Sequence, residues 1–217
     1  MTGRSEPFRV RARGELACFT RPEMKVERVS YEVMTPSAAR GVLEAVLWKP
    51  QIAWHVHAIE VLAPIRWASF RRNEVQSRAA VRSREILADD DRTQRNTVAL
   101  RDVDYVIEAS FTLTERAGDD DPVAKYVDMF LRRLKKGQRY HAPYLGCREF
   151  AAEVALADYV LTPIDVGVER PLGLMFYDYD YPPPEPARPL FFDAKLKDGV
   201  VRVPDRETVR KQNKAAP

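Results

Sequence analysis

The densest chemistry in the chain lies between Arg66 and Arg95, where arginine recurs without a single lysine: Arg66, Arg71, Arg72, Arg78, Arg82, Arg84, Arg92 and Arg95. Glu74, Glu85, Asp89, Asp90 and Asp91 stand against them, so eight minus five leaves +3, equal to the net charge of all 217 residues. The planar guanidinium fork matches phosphate oxygens and stacks on bases, which makes this stretch a candidate nucleic-acid contact. A solvated loop whose arginines pair with the Asp89–Asp91 run fits the same composition. His55 and His57 form an H-x-H pair of the kind that can grip a metal. Only one further histidine, His141, exists in the chain, and no thiol or carboxylate sits at ligand spacing. No metal site is expected there, and both histidines belong on the polar face of a strand. Cys18 and Cys147 are the only cysteines, a usage that suits reduced thiols in a cytoplasmic protein. Tyr177, Tyr179 and Tyr181 alternate along one strand face and could stack on bases. Asp178 and Asp180 between them repel a phosphate backbone, so packing is their expected role.

These groups need elements to hold them, and the clearest is the stretch from Ser30 to Pro50. Thr35 can cap a helix, Pro36 fits its first position, and Ala39, Val42, Leu43, Val46 and Leu47 recur at helical spacing. Pro50 ends it. Phe8 to Thr20 alternates as a strand, interrupted at Gly14, with Arg9, Arg11 and Arg13 on one face. Gln51 to Leu62 changes phase near Ala58, which predicts a bulge. Val98 to Thr114 is the cleanest strand, apolar at every odd position from Val103 to Leu113. A second helix is expected with Asp121 as cap, Pro122 at its first position, and a stop at Gly137. Tyr140 to Phe150 can supply a closing strand.

The resulting order, β-α-β-β-α-β, predicts an α+β protein with a ferredoxin-like (RRM-like) N-terminal domain over residues 1–150, carrying the Arg-rich insertion at about 66–97. Residues 151–204 read as a smaller antiparallel β extension, with Asp198-Gly199 as a hairpin turn. Residues 205–217 read as a charged, disordered tail. The hydrophobic share of 45% allows a real core, yet no apolar run approaches the ~20 residues that cross a bilayer. The N-terminal MTGRSEPFRVRARGE lacks the apolar segment of a secretory signal, so a cytoplasmic protein without membrane contact is expected.

Three pieces together carry a resemblance: FTRPEMKVERVSYEVMTPSAARGVLEAVLWKP (19–50), RRNEV (71–75) and LGCREF (145–150). They resemble the CRISPR-associated "Cas five" family of subtype I-C, within the RAMP superfamily, and the similarity covers most of the chain. The resemblance implies an endoribonuclease that binds and cleaves the repeat hairpin of precursor CRISPR RNA (crRNA) and keeps the 5′ handle. It also implies assembly with the large and backbone subunits of the interference complex (Cascade). No cofactor is implied, and the chemistry is metal-independent: the ribose 2′-OH attacks the adjacent phosphate. That reaction needs a base, a proton source for the leaving oxygen and a cation on the developing charge.

Family members often place a Tyr before the W-K-P that ends the first helix, and a Lys-His pair near the start of the second. Here Leu47 stands at the first position and Lys125-Tyr126 at the second. Lys125 is thereby the implied phosphate-charge stabiliser, and Tyr126 takes the histidine's place. Tyr126 can act as a base only if Lys125 lowers its pKa from ~10. His141 is a substitute base. For RNA contacts the candidates are Lys25, Arg28, Arg40, Arg71 and Arg72, because they flank the first helix and open the insertion. Two other readings stay open: a non-catalytic RNA-binding cap subunit of the same complex, and a general binder of double-stranded nucleic acid, DNA included.

Overall fold

The computed structural model describes residues 3–77, 87–118, 120–157, 161–181, 184 and 186–215. Nine strands follow one another as β1 (Phe8–Ala17), β2 (Arg28–Val29), β3 (Ile52–Val61), β4 (Trp67–Val75), β5 (Arg92–Leu113), β6 (Glu153–Leu156), β7 (Glu169–Asp180), β8 (Arg188–Lys197) and β9 (Val200–Arg202). Three α-helices accompany them: α1 (Pro36–Val46), α2 (Val123–Lys136) and α3 (Arg206–Ala215). The strands join in one mostly antiparallel sheet of order β6-β1-β5-β3-β9-β8-β7. Helix α1 lies in the chain between β1 and β3, and α2 between β5 and β6. The N-terminal half of β5 takes β4 along one edge and the short parallel β2 along the other.

Local chemistry explains the elements that match expectation. The Thr35 hydroxyl accepts the Ala38 N–H at 3.3 Å, Pro36 opens α1, and Ala39, Val42, Leu43 and Val46 are buried. Helix α2 buries Tyr126, Phe130 and Leu134 and ends at Gly137, whose φ of 65° suits a residue without Cβ. Strand β3 shifts register between Val56 and Ala58, at the expected bulge. The two layers meet in an aromatic cluster, with Trp54 to Phe130 at 4.7 Å, Phe8 to Phe130 at 5.0 Å and Trp54 to Phe111 at 5.3 Å between ring centroids. Such rings dominate core energetics by their area and edge-to-face geometry. On the opposite face of β3, His55 pairs with Thr112 at 2.9 Å and His57 with Ser110 at 2.8 Å.

Four expectations need correction. Residues 140–150 form no closing strand; they loop, and β6 takes the place beside β1. Leu145 is wholly buried, its carbonyl accepts the Cys18 N–H at 3.0 Å, and Gly146 sits at φ +84° with its α-carbon pressed on the Cys18 carbonyl. A Cβ at Gly146 would lie 2.0 Å from that oxygen, so the loop is committed to a tight docking rather than a ladder. Helix α2 starts one residue later than expected, because Pro122 is its N-cap and the Asp121 carboxylate is engaged elsewhere. The insertion contributes β4 and the first residues of β5 as a hairpin; Arg78, Arg82, Arg84 and Glu85 lie outside the described residues. Residues 206–215, read as a disordered tail, form α3. Asp205 caps it by accepting the Thr208 N–H at 2.9 Å, and Val209 is its one wholly buried side chain among those described.

Ion pairs hold α3 in place. Asp180, almost fully buried, receives Arg210 at 2.7 Å, Arg188 at 3.3 Å and Arg206 at 3.7 Å. Strands β7 to β9 continue the sheet through the β9–β3 ladder, with Asp198 and Gly199 both at positive φ in the β8–β9 turn. Among the described residues no helix is long and apolar enough to cross a membrane.

Burial alone would raise the Asp180 pKa, but hydrogen bonds from Arg210 and Arg188 outweigh it and hold the carboxyl below its ordinary value. A depressed carboxyl stabilises the fold above about pH 4 and loses that contribution as pH falls through its folded value. Asp180→Ala is therefore expected to reduce stability at neutral pH by roughly 2–3 kcal/mol. It should also expose 206–215 to limited proteolysis and shrink the difference from wild type in acid. Urea titrations at pH 7 and pH 3 with mass mapping of the first cut check this; an uncut C-terminal helix overturns it.

Candidate nucleic-acid interface

The first turn of α2 places Lys125 outward and Tyr126 inward, since consecutive residues on a helix point about 100° apart. Both meet Asp121. Lys125 Nζ lies 2.6 Å from Asp121 Oδ1, and the Tyr126 hydroxyl donates to Asp121 Oδ2 at 2.9 Å. Gly118 N–H also donates to Oδ2, at 3.3 Å. Hydrogen bonds from Lys125 and then Tyr126 keep the Asp121 carboxyl below its ordinary value, and the same carboxylate raises the Lys125 ammonium. Burial first, and Asp121 second, raise the Tyr126 phenol; the opposing pull of Lys125 is smaller. The condition under which Tyr126 could act as a base, a pKa lowered by Lys125, is not met in this arrangement: the phenol is a neutral donor facing a carboxylate. Tyr126 is 2% exposed, so it is also withdrawn from solvent.

His141 is exposed, with Nδ1 at 3.0 Å from the Ala142 carbonyl. Its N–H bonds Ala45 O at 3.3 Å, beside Val46, whose carbonyl receives Arg133 at 2.8 Å. At ~1.5 Å per residue, Arg133 lies two turns along α2 from Lys125. The geometry does not bring His141 to the lysine. Leu47 is wholly buried, and its carbonyl accepts the Trp54 indole N–H at 3.2 Å.

The five cationic candidates separate into four environments. Arg28 and Arg72 converge on shared acids: Arg28 reaches Glu149 at 2.9 Å and Glu74 at 3.7 Å, while Arg72 reaches Glu74 at 3.2 Å and hydrogen-bonds Glu149 as well. Arg72 also lies over the Phe70 ring at 5.9 Å. Burial would raise Glu149, yet its backbone hydrogen bond and the two arginines hold it low. Arg71 stands on the exposed face of the β4–β5 hairpin, 3.4 Å from both Asn96 and Gln94. Lys25 is exposed in the turn before β2. Arg40 points elsewhere: it bonds Glu44 at 2.7 Å and Asp178 of β7 at 3.0 Å, tying α1 to the C-terminal strands.

Two participants escaped sequence reasoning. Asp121 precedes Lys125 by four residues, an acid-to-base spacing that signals a helical pair and was readable. Glu149 is 77 residues from Arg72 and 121 from Arg28, so nothing local announces it. Beside it the two cysteines are free thiols. Cys147 Sγ receives Arg28 at 3.6 Å and approaches the Cys18 carbonyl at 3.6 Å. A hydrogen bond from Cys18, helped by Arg28, lowers Cys147 to about 6, while the same bond and burial push the Cys18 thiol up. His55 and His57 are both lowered, by burial first and Arg4 second, and stay neutral at pH 7.

With this geometry in view, comparison with known proteins is specific. The model of the CRISPR-associated protein (Cas_Cas5) family, in its Cas5d form, matches residues 8–204. The chain belongs to this family. Its subtype is I-C: it is 46% identical over 208 residues to the CRISPR pre-crRNA endoribonuclease Cas5d of Mannheimia succiniciproducens, covering 88% of this chain and 92% of that one. It is 42% identical over 214 residues to the protein of the same name from Thermus thermophilus, covering 91% of each. A crystal structure titled as a CRISPR-associated protein superposes with a TM-score of 0.74 at 27% identity, over 96% of this chain and 97% of the other. A Streptococcus mutans protein, SMU1763c, shares the fold with the same TM-score at 23% identity, over the same shares of the two chains.

The thiol geometry sets an expected pH profile. Iodoacetamide should alkylate Cys147 with a rate that rises through about pH 6, while Cys18 stays unmodified up to pH 8. Arg28→Ala should move the midpoint upward, because it removes one of the groups that favour the thiolate. Mass mapping of the alkylated peptides decides; a Cys147 profile centred near ~8.5 would refute the arrangement.

Proposed function

We propose that this protein is an endoribonuclease that binds and cleaves the repeat hairpin of precursor crRNA and stays on the 5′ handle as a subunit of the type I-C interference complex. The observation that carries this reading is the near full-length similarity to two proteins named CRISPR pre-crRNA endoribonuclease Cas5d. The antiparallel order β6-β1-β5-β3, with one helix after β1 and one after β5, supports reading the N-terminal part as ferredoxin-like, with β7–β9 as its C-terminal extension.

In this reading cleavage needs no metal. The 2′-hydroxyl gives up its proton to solvent as its oxygen attacks the adjacent phosphorus, the bond to the 5′-oxygen breaks, that oxygen takes a proton from solvent, and a 2′,3′-cyclic phosphate and a 5′-hydroxyl result. Lys125 is the cation for the developing phosphate charge: its ammonium is exposed, and a phosphate of the RNA competes with Asp121 for it. Tyr126 is a positioning residue, since its hydroxyl fixes Asp121 and, through it, the rest position of Lys125. Lys25 and Arg71 contact phosphates directly. Arg28 and Arg72 do so by exchange from Glu74 and Glu149, and Arg40 serves the fold.

Duplex DNA is a second reading for one feature. The β4–β5 hairpin is a two-stranded ribbon whose exposed face carries Arg71, Arg92, Gln94 and Asn96, and such a ribbon fits a major groove. A steep salt dependence with indifference to sequence would favour it.

Incubation with repeat RNA from the protein's own CRISPR locus in excess EDTA tests the enzyme reading. A single cut is expected from wild type, with the rate lowered by about 10²–10³ in Lys125→Ala and the RNA still bound. Tyr126→Phe should lower the rate less and leave the shape of its pH profile unchanged, because the phenol is not the titrating group. Tight binding without a cut in wild type would leave a non-catalytic cap subunit instead.

A further inference from the structure

Four aromatic rings are joined in a ladder at the surface, three of them exposed and the last, Tyr144, half-buried. Trp48, just beyond α1, stacks on Tyr140 with centroids 5.6 Å apart and planes at 28°. Tyr140 meets His141 edge-on at 5.8 Å, and His141 stacks on Tyr144 at 5.9 Å and 27°. Trp48 is 47% exposed and Tyr140 58%, so two of the largest apolar faces of the chain remain in contact with water. The ladder is fixed in place. The N–H groups of Tyr140 and His141 both bond the Ala45 carbonyl, at 2.7 and 3.3 Å, and Tyr144 forms a bridge with Ala151. Beyond the last ring opens a cavity of about 380 Å³ lined by His141, Ala142, Tyr144 and Arg148.

We propose that this ladder and cavity bind unpaired RNA bases flanking the repeat hairpin, which deepens the RNA-processing reading above and rests on it. Every base has a π-face, and a fixed row of rings accepts successive bases without selecting their identity. Among the described residues the lining of the cavity carries a guanidinium and an imidazole and no carboxylate, which suits the phosphates between those bases. A paired stem keeps its bases stacked on each other, so only single-stranded flanks have faces to offer. A protein partner is the competing occupant.

The test uses fluorescence anisotropy with repeat RNA from the protein's own locus in two forms, one with its unpaired flanks and one trimmed to stem and loop. Wild type should bind the flanked form more tightly. The double variant Tyr140→Ala/Tyr144→Ala should lose about 10- to 100-fold in affinity for the flanked form and bind the trimmed form as wild type does. That second arm also shows that the variant is folded. Tyr140→Phe/Tyr144→Phe, which keeps the rings, should retain the preference. A flank preference that survives the alanines overturns the platform, as does equal binding of both forms by wild type. An alanine variant that binds both RNAs normally but no longer co-purifies with the other complex subunits assigns the surface to protein and overturns it too. If wild type binds neither form, the RNA-processing reading itself fails.

Discussion

A strand of 22 residues must find backbone partners along both edges for its whole length, and β5 (Arg92–Leu113) imposes that demand on the molecule. Its C-terminal half is the centre of the sheet, between β1 and β3, and its odd-numbered side chains form the core beneath α1 and α2. Its N-terminal half projects further, held by β4 and the two residues of β2. The positive φ of Asp102, at 53°, marks where the strand passes from one set of partners to the other. One strand thus serves as core and as basic arm, and Arg71, Arg72, Arg92 and Arg95 sit on a ladder continuous with the buried sheet.

Three of the candidate cations rest on carboxylates. Lys125 rests on Asp121, and Arg28 and Arg72 share Glu74 and Glu149. Exposed pairs of this kind contribute ~0–1 kcal/mol, so a polyanion that supplies several phosphates at once can displace them. Asp180 is the contrast. It is buried under three arginines, and that network fastens α3 to the sheet together with Asn213, which accepts the Phe191 N–H at 3.0 Å and donates to its carbonyl at 2.6 Å.

Sequence and structure agree wherever a decision depends on near neighbours. Thr35, Pro36 and Pro50 bracket α1, Gly137 stops α2, alternation marks β1, β3 and β5, and Asp198-Gly199 turns β8 into β9, because each is a matter of backbone torsion or of a period of two or 3.6 residues. Lys125 was recognisable as an exposed cation for the same reason: it lies opposite the apolar stripe of its own helix.

What the sequence could not determine were the partners of side chains that meet across long separations. Arg40 looked like its neighbours but closes on Asp178, 138 residues away, and Glu149 cannot be linked to Arg28 without the loop that Leu145 and Gly146 dock against Cys18. Helix α3 has one wholly buried apolar side chain among those described and is held by Asp180, 26 and 30 residues from its arginines, and by Asn213 on Phe191. The proton on Tyr126 depends on burial against Phe111 and on Asp121. Local torsions and periodicity are set by adjacent residues and can be read from their order. Burial and electrostatic pairing are set by whatever the finished fold brings within a few ångströms, so tertiary structure alone decided which carboxylate each charged group meets, Arg40 on Asp178 and Arg28 on Glu149 among them.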